Sequence, residues 1–253
     1  MKLVVNPDFN ELEPLLLKIP VLFEQHGKTI YKSRNELRII DIPGFIINVK
    51  RYRIPFLMNR IAYTFFRSSK ASRAYEYALT LKEKGFGTPE PIAYLEFKNK
   101  GLLGYSYFVS RHISECRMMR EFSDGSDIAG REDIIEALGT FIARLHEAGI
   151  LHLDLSVGNI LFIKEGKDIR FWLVDLNRMR FCNIGQEKGC RNFERLRGSE
   201  ALFGILANTY ARERGFDTSE CLKTILYYQR KSVRNFRAKA ERKKKLQKLK
   251  LTR

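Results

Sequence analysis

The chain has 253 residues, 44% of them apolar, and a net charge of +17. That is enough apolar material for a real core in one large domain or two lobes, so intrinsic disorder is excluded as the default state. The charge is concentrated: residues 230–253 hold twelve Lys or Arg against Glu241 alone and so carry +11 of the total, which attracts anionic partners without choosing among nucleic acid, phosphorylated glycolipid and an acidic membrane.

The four cysteines, Cys116, Cys182, Cys190 and Cys221, have no close metal-ligand spacing and read as reduced thiols of a cytosolic protein. The opening MKLVVNPDFNELEP has early acids and Pro7 and lacks the apolar stretch of a signal peptide. No run of about 18 apolar residues is present, so membrane contact is expected to be peripheral.

In chain order, Thr29-Ile30-Tyr31 is a short candidate strand. Ile39, Ile40 and Ile42 before Pro43-Gly44, with Phe45, Ile46, Ile47 and Val49 after it, predict a hairpin. The period then changes. Ile54, Leu57, Met58, Ile61, Ala62, Phe65 and Phe66 mark one face of a helix over 54–66 with Pro55 near its start. That face is expected to pack on the small lobe; the alternative is that Leu57, Phe65 and Phe66 touch a bilayer surface. A second helix runs from about Ala71 to Lys84 and stops at Gly85. Strand-like runs follow at Ile92–Phe97 and Tyr105–Val109. A long helix at about 131–148 is followed by a hairpin, Ile160–Ile163 and Ile169–Val174, and a helical remainder from about 192. This order suits a small sheet-rich lobe followed by a larger helical one, with the boundary near Ser110–Ile113.

The most specific segment is Leu151-His152-Leu153-Asp154-Leu155-Ser156-Val157-Gly158-Asn159-Ile160-Leu161, directly after the long helix. An Asp and an Asn five residues apart on such a loop can converge. The Asp can accept a proton from a hydroxyl nucleophile, and the Asn can bind magnesium through its amide oxygen. Asp175, at the end of the strand Phe171–Val174, is a natural second metal ligand, because magnesium takes few protein oxygens and fills the rest with water and phosphate. Each residue also has a structural reading: an Asx turn for Asp154 and Asn159, a cap for Asp175, and loop support for His152.

The pattern H-x-D-x-x-x-x-N, a hairpin and a strand ending in Asp resembles the protein-kinase catalytic loop and metal motif. His152-Leu153-Asp154 stands for His-Arg-Asp, and Asp175-Leu176-Asn177 for Asp-Phe-Gly. The resemblance implies an α+β, protein-kinase-like two-lobed fold, with a small antiparallel-sheet N-lobe and a larger helical C-lobe. It implies ATP and Mg2+ as cofactors. It also implies a strand lysine, Lys50, on the phosphates and a helical glutamate, Glu76, paired with it. Singly, the bland readings of these two are a solvated strand end and a surface helix position.

Three features depart from ordinary protein kinases. The loop Tyr31-Lys32-Ser33-Arg34-Asn35-Glu36 that should cover phosphate has no glycine, so Ser33, Arg34 and Asn35 are candidate side-chain donors. Ser156 stands two positions after Asp154, where Ser/Thr kinases carry lysine. No Ala-Pro-Glu follows Asp175; instead Arg178, Arg180, Lys188, Arg191, Arg195 and Arg197 form either a solvated face or a basic lip for an acidic acceptor.

Val49-Lys50-Arg51-Tyr52, Arg73 to Glu76 followed by Gly87-Thr88-Pro89-Glu90-Pro91-Ile92, His152 to Asn159, and Val174-Asp175-Leu176-Asn177-Arg178 together resemble the lipopolysaccharide core kinases, the Kdo/WaaP family. The similarity runs from about Tyr31 to Arg197, and the helix 54–66 fits it. It implies transfer of the ATP γ-phosphate to an inner-core sugar hydroxyl, Kdo or heptose, of a lipopolysaccharide core or lipid A precursor. The enzyme would be cytoplasmic and peripheral on the inner face of the inner membrane, held on its anionic surface by the basic tail, with no nucleic acid expected as partner. The organisation expected is an N-lobe over 1–110 with the insertion helix, a C-lobe over 111–229 and a basic tail over 230–253. The alternatives are a RIO-like atypical protein kinase acting near ribosomal RNA, suggested by Asp154-Leu155-Ser156, and a pseudokinase scaffold.

Overall fold

The computed structural model describes residues 1–123 and 130–251, with side chains for all of these except Ser123 and 243–251. The described chain divides into two compact units, Met1–Cys116 with Trp172–Arg178, and Arg117–Phe171 with Met179–Arg253.

The first unit is built on a six-stranded antiparallel sheet. It opens with β1 (Lys2–Val5), followed by a 3-10 turn (Pro7–Leu12) and two short helices, α1 (Glu13–Leu16) and α2 (Ile19–Gln25). Over 7–25 the chain is thus helical rather than extended. Leu16, Ile19 and Phe23 recur at three- and four-residue spacing and are fully buried, which makes the segment helical and worth roughly 1.5–3 kcal/mol per side chain. The expected hairpin is present as β3 (Glu36–Ile42) and β4 (Phe45–Tyr52), preceded by β2 (Lys28–Lys32). It turns at Gly44, whose φ of +96° suits glycine. With β5 (Pro91–Asn99) and β6 (Leu102–Arg111) the sheet order is β1-β5-β6-β4-β3-β2.

Alternation along β4 decides where its side chains go. Ile47 and Val49 enter one core with Phe9, Leu16, Ile19, Phe23, Leu95 and Val109. Tyr52 joins the opposite face, packed with Ala71, Tyr75 and Tyr94, and Lys50 lies in phase with Tyr52. On that face lies α4 (Lys70–Glu83), capped by the Ser69 hydroxyl, which accepts from the Ser72 N–H at 3.1 Å.

Before it comes α3 (Leu57–Phe65), shorter than expected at its start. The expectation that its apolar face packs on the sheet is corrected here: the helix has no buried residue. It is held by polar side chains instead. Arg60 donates to the carbonyls of Leu103 and Asn99, each at 2.8 Å, and the Thr64 hydroxyl accepts from the Leu103 N–H at 2.9 Å. A helix so close to the narrow end of a β-hairpin meets backbone polar groups rather than an apolar sheet face, and these select Arg and Thr.

Residues 172–178 join this unit because Leu173 donates to the Gly87 carbonyl at 2.9 Å and Thr88 donates its hydroxyl to the Leu173 carbonyl at 3.0 Å.

The second unit comprises β7 (Arg117–Met118), α5 (Arg131–Glu147), β8 (Ile150–His152), β9 (Ile160–Glu165), most of β10 (Asp168–Leu173), β11 (Met179–Phe181), α6 (Gln186–Arg191), α7 (Glu200–Arg214) and α8 (Thr218–Leu251). β8 pairs antiparallel with β11, His152 opposite Met179. α5 and α7 approach closely at Gly139, where a Cβ would stand 2.9 Å from the Thr209 Cβ. The basic tail is not a separate segment, since α8 runs unbroken from Thr218 to Leu251. Arg197 stacks on Phe236 at 5.5 Å and Arg230 pairs with Glu200 at 2.5 Å. Of the tail's charges, the side chains of Lys243, Lys244, Lys245, Lys248 and Lys250, like Thr252 and Arg253, lie outside the described residues.

Candidate active site

In the first unit, the Lys50 ammonium donates to Asp175 Oδ1 at 2.7 Å, and the Asn177 amide donates to the same oxygen at 2.5 Å. Asp175 holds φ = +60°, a left-handed conformation that costs an L residue about 1–2 kcal/mol. Strain of this kind persists where surrounding bonds over-determine it, and here it aims a carboxylate at a lysine. Tyr52, two residues beyond Lys50 on the same sheet face, is buried. Burial drives its phenol well above the usual range and the nearby Asp175 charge adds to this, so the ring stays neutral. The Lys50 ammonium lies 5.5 Å from that ring.

Lys70, in the first turn of α4, was not singled out by the sequence. Burial lowers its pKa, and Arg34 and Arg73 lower it further, against the opposing pull of Tyr63 and Asp175. Arg73 is itself buried, with its Nε unpartnered in the structure. Lys50 and Lys70 therefore bring cationic charge to one carboxylate, with Arg34 and Arg73 in electrostatic reach of Lys70, a field suited to phosphate. Nothing in the sequence marks Lys70 beyond its place just inside a capped helix; Tyr52 could have been found from its two-residue spacing to Lys50.

The expected Lys50–Glu76 pair is corrected: Lys50 bonds Asp175 instead. Glu76 is exposed and accepts from the Ser72 hydroxyl at 2.6 Å. The buried stripe of α4 is Ala71, Ala74, Tyr75, Ala78 and Leu81, and that helical phase turns position 76 outward. Ser33, Arg34 and Asn35 form the turn between β2 and β3. Ser33 N–H donates to the Asn35 carbonyl at 3.0 Å, and Asn35 Oδ1 accepts from the Arg53 N–H at 3.4 Å. Only Arg34 of the three bears on the charge cluster.

In the second unit, Asp154 and Asn159 share one loop. The Asp154 N–H donates to His152 Nδ1 at 3.1 Å, and the Asn159 amide donates to the Asp154 carbonyl at 2.8 Å. With its NH2 so engaged, Asn159 keeps Oδ1 as an acceptor. An Asp carboxylate and an Asn amide oxygen are both hard donors, so Asp175 and Asn159 are each, by chemistry alone, of a type that suits magnesium. The Asp154 carboxylate forms an ion pair with Arg195. Of the basic stretch, Arg195 thus touches the loop. Arg191 and Arg197 stack on Tyr228 and Phe236, and Arg178 and Arg180 are exposed.

The loop rests on a buried polar relay that the sequence did not disclose. Asn192 donates to the His152 carbonyl at 2.9 Å and meets His146 Nε2 at 3.1 Å through Oδ1; His146 Nδ1 meets the Tyr210 hydroxyl at 2.8 Å. Gly189 makes room, since a Cβ there would stand 2.0 Å from the Tyr210 oxygen. Burial pushes the His146 imidazole down to about 4, and Arg214 adds to this against Asn192. The folded state therefore binds fewer protons than the unfolded one between about pH 6.5 and 4. Stability should be full above pH 6.5 and fall as pH drops through that window, by about 3 kcal/mol from this group alone. Melting curves at pH 7.5 and 4.5 for the native chain and His146→Gln should show a smaller acid-induced drop in the variant; an equal drop would remove His146 as its source.

The sequence profile described as "Lipopolysaccharide kinase (Kdo/WaaP) family" matches residues 48–219, from just before Lys50 through Asp154, Asn159 and Asp175 into α8. The chain belongs to this family. The match leaves Ser33, Arg34 and Asn35 outside it. Among Kdo/WaaP relatives, a 3-deoxy-D-manno-octulosonic acid kinase of Stenotrophomonas maltophilia (strain K279a) is 31% identical over 151 residues, 58% of each chain. One of Vibrio vulnificus (strain YJ016) is 25% identical over 192 residues, 73% of this chain and 78% of the relative. The chain thus spans little more than half the length of the first of these. A solved structure of WaaP in complex with acyl carrier protein superposes with a TM-score of 0.63 over 92% of this chain and 99% of that one, at 18% identity. The fold is accordingly the α+β, protein-kinase-like one expected.

Proposed function

We infer that this Kdo/WaaP family member is a phosphotransferase that uses ATP and magnesium to phosphorylate a hydroxyl of a lipopolysaccharide inner-core sugar, Kdo or heptose. The observation that carries the reading is the bond from Lys50 to Asp175, 125 residues apart in sequence. It joins a phosphate-binding cation to a metal-binding carboxylate inside a matched kinase family.

The roles follow from the chemistry of each group. Lys50 holds the α- and β-phosphates, with Lys70, Arg73 and Arg34 contributing field. Asp175 and Asn159 would each offer an oxygen to magnesium, which when bound would neutralise charge on the phosphate oxygens. Asp154 accepts the acceptor hydroxyl's proton as its oxygen bonds phosphorus and ADP leaves. His152, through Asn192 and His146, keeps the Asp154 loop in place. Arg195 supplies a guanidinium for an acidic sugar as well as for Asp154. The 31% identity to a 3-deoxy-D-manno-octulosonic acid kinase favours Kdo as the acceptor. Incubating purified chain with γ-labelled ATP, magnesium and lipid-A-linked Kdo should label the glycolipid. Label on protein alone, or none, would reject the reading.

Among the described residues no helix is long and apolar enough to cross a membrane. We place the enzyme at the inner face of the inner membrane, with the cationic end of α8 on anionic lipid, at about 1 kcal/mol per residue near the surface. Removing residues 239–253 keeps the Arg197–Phe236 stack and deletes eight Lys or Arg. Binding to anionic vesicles at low salt should weaken by at least about tenfold, with turnover on a short soluble acceptor unchanged. Vesicle binding equal to that of the intact chain would exclude the tail as tether.

A further inference from the structure

Helix α3 is inverted relative to an ordinary surface helix. Its polar side chains Arg60 and Thr64 are spent inward on backbone groups at the β5–β6 turn, and its apolar ones point away from the protein. Leu57, Met58, Ile61 and Phe65 fall within roughly 100° of arc on one face. Phe56 and Phe66 extend that face at both ends. Met58 is 78% exposed, Phe65 66% and Phe66 84%. Six large apolar side chains on one short helix exceed the single exposed residues normal for a protein surface.

The charge along this stretch of the sequence has one sign. Between Asp41 and Glu76 the sequence holds seven Lys or Arg and no acid. Two of the cations frame the helix itself. Arg53 is exposed and sits 5.6 Å over Phe56, and Arg67 is exposed and sits 5.9 Å over the Tyr63 ring.

We propose that α3 is a membrane-insertion element, whose apolar face enters the acyl region of an anionic lipid surface while Arg53 and Arg67 meet the headgroups. An apolar face flanked by cations has the chemistry of an interfacial helix. A second copy of the chain is disfavoured as occupant because it would bring a second Arg53 and a second Arg67 to the contact. A nine-residue helix also offers far less than the roughly 600–800 Å2 per partner of a stable protein interface. The helix lies in the first unit and the basic tail in the second, and the proposal does not depend on which sugar is phosphorylated. It adds an apolar, salt-resistant component to the electrostatic one.

The test uses the full chain, with vesicles of phosphatidylethanolamine and phosphatidylglycerol. Phe65→Ser with Phe66→Ser should leave Tm unchanged, since both rings are exposed, and weaken vesicle binding by about tenfold or more. At high salt, which screens the tail, the native chain should keep measurable binding and the double variant should lose it. Phe65→Trp should show a blue-shifted emission on vesicles, quenched by brominated acyl chains. An undiminished affinity of the double variant, or an unshifted and unquenched emission from Phe65→Trp, would overturn the proposal. So would loss of self-association in the double variant with vesicle binding intact, which would make the face a dimer contact. If the double variant melts early, the emission and quenching of Phe65→Trp decide alone. Failure here leaves glycolipid labelling untouched, so the two readings fall separately.

Discussion

Asp175→Asn is expected to lower turnover by roughly 10²–10³-fold while leaving the fold intact. The substitution is isosteric, and asparagine tolerates the left-handed φ of +60° that Asp175 adopts. It can still accept from Lys50 and Asn177, which now bond one carboxylate oxygen. What it loses is the negative charge, and with it the neutralisation of Lys50 and the proposed grip on magnesium. The magnesium dependence of the residual activity should therefore move to higher concentration, whereas a purely structural role would lower Tm without moving that curve. Asp175→Ala removes the same charge but also a side chain suited to positive φ, so it should lose stability as well. A variant with native turnover and an unshifted magnesium curve would eliminate Asp175 as the metal ligand.

Asp154→Asn should cost about 10²–10⁴-fold in kcat with ATP binding retained. Its amide cannot accept the acceptor's proton. The Arg195 ion pair is lost too, but Arg195 is 46% exposed, and a pair so accessible contributes at most about 1 kcal/mol to stability. The loop should keep its shape. Its bonds to His152 and Asn159 use the Asp154 backbone rather than its carboxylate. Single-turnover phosphorylation of a soluble Kdo acceptor measures the effect on the chemical step. Near-native rates would show that the hydroxyl loses its proton elsewhere. ATP affinity falling in step with turnover would show that Asp154 acts on nucleotide instead.

What could be read from the sequence about this protein was whatever short-range chemistry determines. Pro43-Gly44 between β-branched runs yields a hairpin because the turn and its flanking strands are neighbours in the chain. The five-residue step from Asp154 to Asn159 brings the two onto one loop, bonded side chain to backbone at 2.8 Å. The Kdo/WaaP motifs are short strings of this kind, and the family was legible from them.

Tertiary structure alone decided which partners meet. Asp175 reaches Lys50 because Leu173 is stitched to Gly87 and Thr88, bonds between positions some 85 residues apart that no local pattern encodes. Glu76 was assigned to Lys50 by position, but the phase of α4, set by which residues its buried stripe needs, turned it outward. The relay from His152 through Asn192 to His146 and Tyr210 joins elements spread over some 60 residues. It exists because buried polar groups must find partners wherever the fold supplies them. The periodicity of 54–66 marked an amphipathic helix, yet periodicity says only that one face is apolar. Whether protein or lipid covers that face depends on what stands opposite it, and at α3 the described residues offer backbone polar groups to the polar side and leave the apolar one exposed.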